Sequence, residues 1–175
     1  MYMHDVLGFS MTNNGLISSV PFLAGLICLP LSGMLADWLR APGRASTTVV
    51  RKAFYFVGSI LAGCFLIVAG YIPCDRDLAV LAISAVSSCS TFAFSCISVN
   101  PQDLAPLHAG RISGLANTVG NLAAITAPLT VGLLTNERST RDEWQTVFFL
   151  AAGISVIGAF AFVIFGSGKR QSWAE

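Results

Sequence analysis

The sequence predicts an all-α integral membrane protein, a polytopic bundle in which five helices cross the bilayer. Of its 175 residues, 54% are hydrophobic and only 11% are charged, whereas a soluble domain carries about 25% charged residues. The 10 basic and 9 acidic residues fall in six short clusters, which leave five uncharged stretches of 31, 22, 25, 25 and 25 residues. Because a helix needs about 20 apolar residues to cross the hydrocarbon core, this pattern excludes soluble enzymes and nucleic-acid-binding domains.

The spans are predicted to be helices rather than strands of a barrel. Only helices and closed barrels satisfy every backbone polar group within lipid. Barrel strands would alternate apolar and polar residues over about ten positions, and the run at residues 60–70 shows no such alternation. The predicted helices cover residues 15–39, 54–72, 78–99, 112–135 and 144–165.

The first uncharged stretch is too long for one span, so we assign residues 6–14 to a loop. The sequence Asn13-Asn14-Gly15 is a turn signal immediately before the apolar run. The chain then divides into an extracytoplasmic arm at residues 1–14, a bundle at 15–168 and a cytoplasmic tail at 169–175. On the fourth helix, Gly110, Gly114 and Gly120 have the small-residue spacing that predicts close helix packing.

The charges predict how the chain is oriented, because Lys and Arg accumulate in short cytoplasmic loops. The tail and the first and third loops together carry seven basic and three acidic residues, whereas the opposite side carries three basic and six acidic ones. The C-terminus is therefore expected in the cytoplasm. Five spans then place Met1 on the other side without a recognisable signal peptide, so we expect further sequence upstream.

Polar residues follow one face of the third helix and one face of the fourth. A stripe on the third helix is formed by Ser84, Ser88, Thr91, Ser95 and Ser98. These hydroxyls either form hydrogen bonds between helices or with their own backbone, or they line a cavity. On the fourth helix, Asn117 and Asn121 carry amides that lipid cannot satisfy, so either a water-filled cavity or a packing role explains them.

No Asp, Glu, Lys, Arg or His lies in the interior of a predicted span, and Asp37 falls in the last turn of the first one. A membrane-embedded protease needs an acid pair, a Ser–His pair or a metal site there, so we predict no catalytic residue, no metal site and no cofactor. Buried ionisable groups also bind charged solutes and relay protons in transporters. The chain by itself is therefore expected to lack the groups that couple transport. The four cysteines in the spans are interpreted as packing residues, and they are Cys28, Cys64, Cys89 and Cys96.

The segment GMLADWLR at residues 33–40 resembles the signature of the major facilitator superfamily at the cytoplasmic junction of its eighth and ninth helices. Further similarity narrows the resemblance to solute carrier family 17, whose members include sialin-like and sodium/phosphate cotransporter-like anion carriers. The segments that carry it are NGLISSVPFL (14–23), SVNPQDLAP (98–106), GLANTVGNLAAITAPLTVGLL (114–134) and EWQTVFFLAA (143–152).

The resemblance implies that the five helices match helices 8–12 of a twelve-helix carrier and form its C-terminal half. Such a carrier moves organic or inorganic anions, of the phosphate, sialic acid and acidic amino acid class, by alternating access. Protons or sodium would drive it, bound mainly outside this segment. The implied partners are a small anionic solute, membrane lipid and an N-terminal half with helices 1–7. The membrane would be the plasma membrane or a lysosomal or vesicular one.

The resemblance also implies roles for individual residues. Ser95, Asn117 and Asn121 would contact the solute. A cytoplasmic gate would be formed by Gly33, Asp37, Arg40, Asn100 and Asp103. One departure concerns Pro101, because many relatives have His after the Asn of this N-x-x-D pattern. The alternative is a truncated, non-transporting fragment, or an accessory membrane protein that acts only in association with other chains.

Overall fold

The computed structural model describes residues 11–42, 44–72, 76–135 and 141–174. The described residues form five long helices: α1 (Met11–Leu39), α2 (Thr47–Tyr71), α3 (Arg76–Leu104), α4 (Ala109–Leu134) and α5 (Arg141–Phe165). Short 3-10 turns occur at Pro106–His108 and Ser172–Ala174. Each long helix is long and apolar enough to cross a membrane. The prediction of an all-α bundle with five spans is confirmed.

The helices extend beyond the ends that the charges predict. The prediction that residues 11–14 form a loop is wrong, because α1 already begins at Met11. Helix α2 begins seven residues early, at Thr47, since the Ser46 hydroxyl caps it by accepting a hydrogen bond from the Val49 N–H. A helix does not stop where the hydrocarbon stops, and charged residues are tolerated in turns that reach the headgroups. The rest of the predicted arm, residues 1–10, and Cys74 lie outside the described residues.

The bundle is organised around α3. This helix packs along α1 on one side and along α2 on the other, and α2 also packs along α5. Glycines allow the closest of these contacts, because a Cβ on Gly58 of α2 would lie 2.8 Å from both the Ala93 Cβ and the Cys89 carbonyl oxygen of α3. On α1, a Cβ on Gly25 would lie 2.9 Å from the Thr91 hydroxyl. Small residues thus bring the backbones together, which membrane helices require in the absence of a hydrophobic drive.

Helix α4 stands apart from this packing. Its contacts with α3 and α5 are sparse, and none of its residues, all of which the structure describes, is buried. Within the described chain, no atom of another helix lies within 4 Å of a Cβ built on Gly110, Gly114 or Gly120. The prediction that these glycines pack closely is therefore wrong for this part of the protein.

Two apolar clusters hold α1, α2, α3 and α5 together at opposite ends. One cluster is centred on Phe54 of α2, whose ring stacks on Phe92 of α3 with centroids 4.5 Å apart. The other joins α2, α3 and α5 around the buried residues Trp144 and Phe148. The rows of exposed apolar side chains outside these clusters are suited to contact lipid tails.

The segments assigned to the basic side of the membrane meet at one end of the bundle. The Gly168 N–H donates to the Thr48 hydroxyl at 3.0 Å, and the Gln171 N–H donates to the Leu104 carbonyl oxygen at 3.0 Å. The C-terminal tail therefore lies against the start of α2 and the end of α3. That this end faces the cytoplasm stays a prediction.

Candidate functional site

Two amide side chains of α4 are exposed within the predicted span. Asn117 and Asn121 are both exposed in the described chain, and they lie one helical turn apart. At about 100° per residue, the two side chains lie roughly 120–160° around the helix from Ala123. The apolar groove between α4 and α5, with a volume of about 360 Å³, lies on the Ala123 side. The asparagines therefore project away from α5.

The hydroxyls and the amides of α4 differ in how they are satisfied. Thr118, Thr126 and Thr130 each donate to a carbonyl oxygen of the preceding turn, at 2.9, 3.1 and 3.0 Å. Neither Asn117 nor Asn121 has a hydrogen-bond partner in the part of the chain that the structure describes. An amide without a partner is costly in lipid. This face of α4 therefore requires water or another polar surface.

The polar stripe on α3 has a different character. Hydroxyls at five positions donate to carbonyl oxygens of their own helix at 2.7–3.2 Å, and these are Ser84, Ser88, Thr91, Ser95 and Ser98. The interpretation that they bond to their own backbone is confirmed. Ser95 is only 9% exposed, whereas the asparagines of α4 are exposed, so the structure does not place the three predicted solute contacts on one open surface.

A charge cluster joins the ends of α1, α2 and α3. The Asp103 carboxylate on α3 accepts a hydrogen bond from the Arg51 Nε at 2.8 Å and is 3.5 Å from the Arg40 Nη2. The Arg40 Nη1 is also 3.7 Å from the Asp37 Oδ1. Arg40 thus links two acidic side chains from different helices, and three of the five predicted gate residues are brought together.

The members of this cluster differ in burial, which decides how much each contact contributes. The Arg51 and Asp103 side chains are only 4% and 14% exposed, so loss of either partner leaves a charge with little solvation. Asp37 is 79% exposed, and an exposed pair of this kind contributes about 0–1 kcal/mol. The buried Arg51–Asp103 pair therefore contributes most to the stability of the cluster. The exposed Arg40–Asp37 contact can open at little cost in free energy.

The sequence model of the Major Facilitator Superfamily matches residues 1–175. The chain belongs to this superfamily. It is 40% identical to human sialin and 42% identical to sheep sialin over 173 residues, which is 99% of the chain. It is 37% identical to human vesicular glutamate transporter 2 over 174 residues. The chain spans about a third of the length of these curated relatives, 35% of the sialins and 30% of the glutamate transporter.

These similarities confirm the resemblance to solute carrier family 17 within the major facilitator superfamily. They make the chain part of a membrane transporter family rather than of an enzyme family. The signature segment at residues 33–40 accordingly lies at the end of α1 and leads into the connection to α2, where the charge cluster is found.

Two further residues of the predicted gate form no hydrogen bond or ion pair with the charge cluster in the described chain. A Cβ on Gly33 would meet no atom within 4 Å in the described chain. Asn100 is buried near the end of α3, and its Oδ1 has no hydrogen-bond donor among the described residues. The structure thus brings Asp37, Arg40 and Asp103 together, but it does not join Gly33 or Asn100 to them.

Arg51 is the residue of this site that sequence reasoning misses. It counts there as a loop charge, because the apolar run begins after Lys52. The helix that contains it is signalled by Ser46 before two threonines and two valines, a serine in the N-cap position. That signal would have placed Arg51 in the second turn of α2, but its pairing with Asp103 is not encoded locally.

Proposed function

We propose that this chain forms the C-terminal half of a secondary active transporter that moves organic or inorganic anions by alternating access. The similarity to a vesicular glutamate transporter supports an anionic solute, since glutamate carries a net negative charge. The superfamily supports rocking of two helical halves around a central site. The expected solutes belong to the phosphate, sialic acid and acidic amino acid class, and protons or sodium would drive their uptake.

The observation that carries this proposal is the pair of unsatisfied amides on α4. Asn117 and Asn121 have no partner in the described chain, whereas the threonines of the same helix are satisfied by its backbone. Neutral amides donate to anionic oxygens without fixing a charge in the cavity. They are suited to orient a solute that must be released again on the other side. Ser95 and Asn121 are proposed to contact the same solute.

The charged groups that bind the anion are proposed to lie outside this chain. In the described residues, the most deeply buried cation is Arg51, and its Nε is already bonded to Asp103. A cation committed to a carboxylate within the bundle is a poor anion site. An N-terminal half with helices 1–7 is the proposed source of the charged groups, and it would also cover the exposed face of α4.

The charge cluster is proposed to act as the cytoplasmic gate. Gly33, Asp37 and Arg40 lie in the signature segment, and Asn100 and Asp103 lie at the end of α3. Arg40 bridges α1 and α3 through weak, partly exposed contacts, so a rocking motion can separate them at small cost. The firm Arg51–Asp103 pair would keep α2 and α3 together during that motion.

The test uses the complete gene product in vesicles, with uptake of radiolabelled sialic acid, glutamate and phosphate. Asn117→Ala should lower the uptake of one of these anions about fivefold, the effect of losing a hydrogen bond worth roughly 1 kcal/mol. The matched control is Thr118→Val, because the adjacent hydroxyl is also exposed but bonds to its own helix. Membrane abundance is measured for both variants.

Unchanged uptake in Asn117→Ala would remove that residue from the site. Equal losses in both variants would assign the effect to α4 as a whole and not to the amide. Reconstitution of the 175 residues alone should show no saturable uptake. Saturable uptake by this chain would overturn the proposal that the charged groups lie elsewhere.

A further inference from the structure

A polar pocket of about 310 Å³ lies beside the connection between α1 and α2. It is separate from the exposed face of α4. The residues that line it are Arg40, Ala41, Pro42, Arg44, Ala45 and Ser46. Two guanidinium groups thus border one small space at the end of the bundle where the basic segments meet.

Arg44 is held in place by Trp38 and not by a carboxylate. Its guanidinium carbon lies 4.0 Å from the centre of the Trp38 ring, and its Nη1 donates to the Trp38 carbonyl oxygen at 3.0 Å. Within the described chain, no acidic side chain pairs with it. A guanidinium has five N–H groups, so most of its donors remain open.

The neighbouring cations, in contrast, donate to acceptors within the bundle. The Arg51 Nε is bonded to Asp103, and the Lys52 Nζ donates to the Val163 carbonyl oxygen at 2.7 Å. Arg40 contacts two carboxylates, but its buried Nε has no acceptor among the described residues. The pocket therefore combines the free, oriented guanidinium of Arg44 with the positive charge of Arg40, whose unused Nε is buried.

The position of the pocket indicates which anion it meets. Helix α1 ends at Leu39 and α2 begins at Thr47, and both are long and apolar enough to cross a membrane, so the connection between them is expected at the level of the lipid headgroups. Trp38 is 57% exposed beside it, as expected for an aromatic residue at the membrane interface. The first turn of α2 starts at the same pocket, and a helix N-terminus favours negative charge.

We propose that this pocket binds the phosphate of an anionic phospholipid. Arginine matches phosphate oxygens with two parallel N–H bonds, and stacking on Trp38 holds the Arg44 fork ready for such a contact. Arg40 would supply the second cation. The lipid would stabilise the connection between α1 and α2 and anchor this end of the bundle in the membrane.

The experiment measures thermal unfolding of the complete gene product in detergent with added phosphatidylglycerol or phosphatidylcholine. We expect phosphatidylglycerol to raise the unfolding temperature more than phosphatidylcholine does. Arg44→Gln should require about fivefold more phosphatidylglycerol for the half-maximal rise, as for the loss of roughly 1 kcal/mol per basic residue at an anionic surface. Arg44→Lys should require an amount of phosphatidylglycerol between those of the unmodified protein and Arg44→Gln, since it keeps the positive charge but loses the two parallel N–H donors.

The matched control is Arg170→Gln, which removes another exposed arginine of the same end and should leave the lipid response unchanged. Equal responses in Arg44→Gln and the unmodified protein would overturn the proposal, and equal losses in both arginine variants would indicate diffuse attraction instead of a site. Soluble glycerol phosphate should produce no rise. A rise in the unfolding temperature with glycerol phosphate would identify a soluble anion as the ligand and overturn the proposal of a lipid. Because the readout is stability, the result is independent of whether the protein transports anions.

Discussion

Arg51 of α2 and Asp103 of α3 form a buried ion pair with an Nε–Oδ2 distance of 2.8 Å. The two residues are 52 positions apart in the chain, and their contact fixes the end of α3 against the start of α2. Arg40 reaches the same carboxylate from α1. One carboxylate therefore receives cations from two other helices.

Removal of one partner of this pair should destabilise the bundle. Asp103→Asn is expected to lower the free energy of unfolding by roughly 2–4 kcal/mol, because it leaves the buried Arg51 without a counter-charge. The double variant Arg51→Met with Asp103→Leu should be less destabilised than Asp103→Asn, since it leaves no buried charge unpaired. Thermal unfolding in detergent measures both. A double variant that unfolds at or below the temperature of Asp103→Asn would contradict a direct pair.

A side chain at Gly58 should force α2 and α3 apart. Its Cβ would lie 2.8 Å from the Cys89 carbonyl oxygen, which is backbone and cannot rotate away. Gly58→Ala is expected to cost about 1–3 kcal/mol, the usual range for overpacking. Gly153→Ala on α5 is the control, because a Cβ there meets no atom within 4 Å in the described chain. Similar unfolding temperatures for the two variants would show that the contact is not tight.

The stack of Phe54 on Phe92 should be sensitive to truncation. Phe54→Ala would leave a cavity of about 100 Å³, which corresponds to roughly 2 kcal/mol at about 24 cal/mol per Å³. The loss comes from packing, because lipid tails solvate apolar groups as well as a protein interior does. Phe22→Ala, at an exposed position of α1, should change the unfolding temperature little. An equal loss at Phe22 would mean that this position is covered by another part of the protein.

Loss of the proposed gate contact should affect transport and leave the stability of the protein nearly unchanged. Asp37→Asn should change the free energy of unfolding by less than about 1 kcal/mol, because the Arg40–Asp37 contact is long and Asp37 is exposed. If Asp37 and Arg40 hold the gate, the same variant should lower the maximal rate of uptake at normal membrane abundance. Thermal unfolding and initial uptake rates are compared in one preparation. A normal uptake rate would exclude Asp37 from the gate.

The sequence predicts the five spans well and their ends less well. The apolar runs determine α1–α5 as membrane helices, but the charges at the ends of the runs mark the edge of the hydrocarbon and not the end of the helix. Arg51 shows the difference, because it lies inside α2 and is buried. The predicted solute contacts at Ser95, Asn117 and Asn121 stay predictions, and the structure separates a buried Ser95 from the exposed amides of α4.

The sequence by itself determined that the chain is a helical membrane bundle. Apolar length and the placement of charges suffice for this, because the transfer of each residue between water and lipid depends little on its neighbours. Only the tertiary structure decided that Asp103 pairs with Arg51, that Gly58 rather than Gly114 allows close packing, and that α4 leaves its amides uncovered. These features depend on which helix faces are brought together, and spacing along one helix carries no information about the partner.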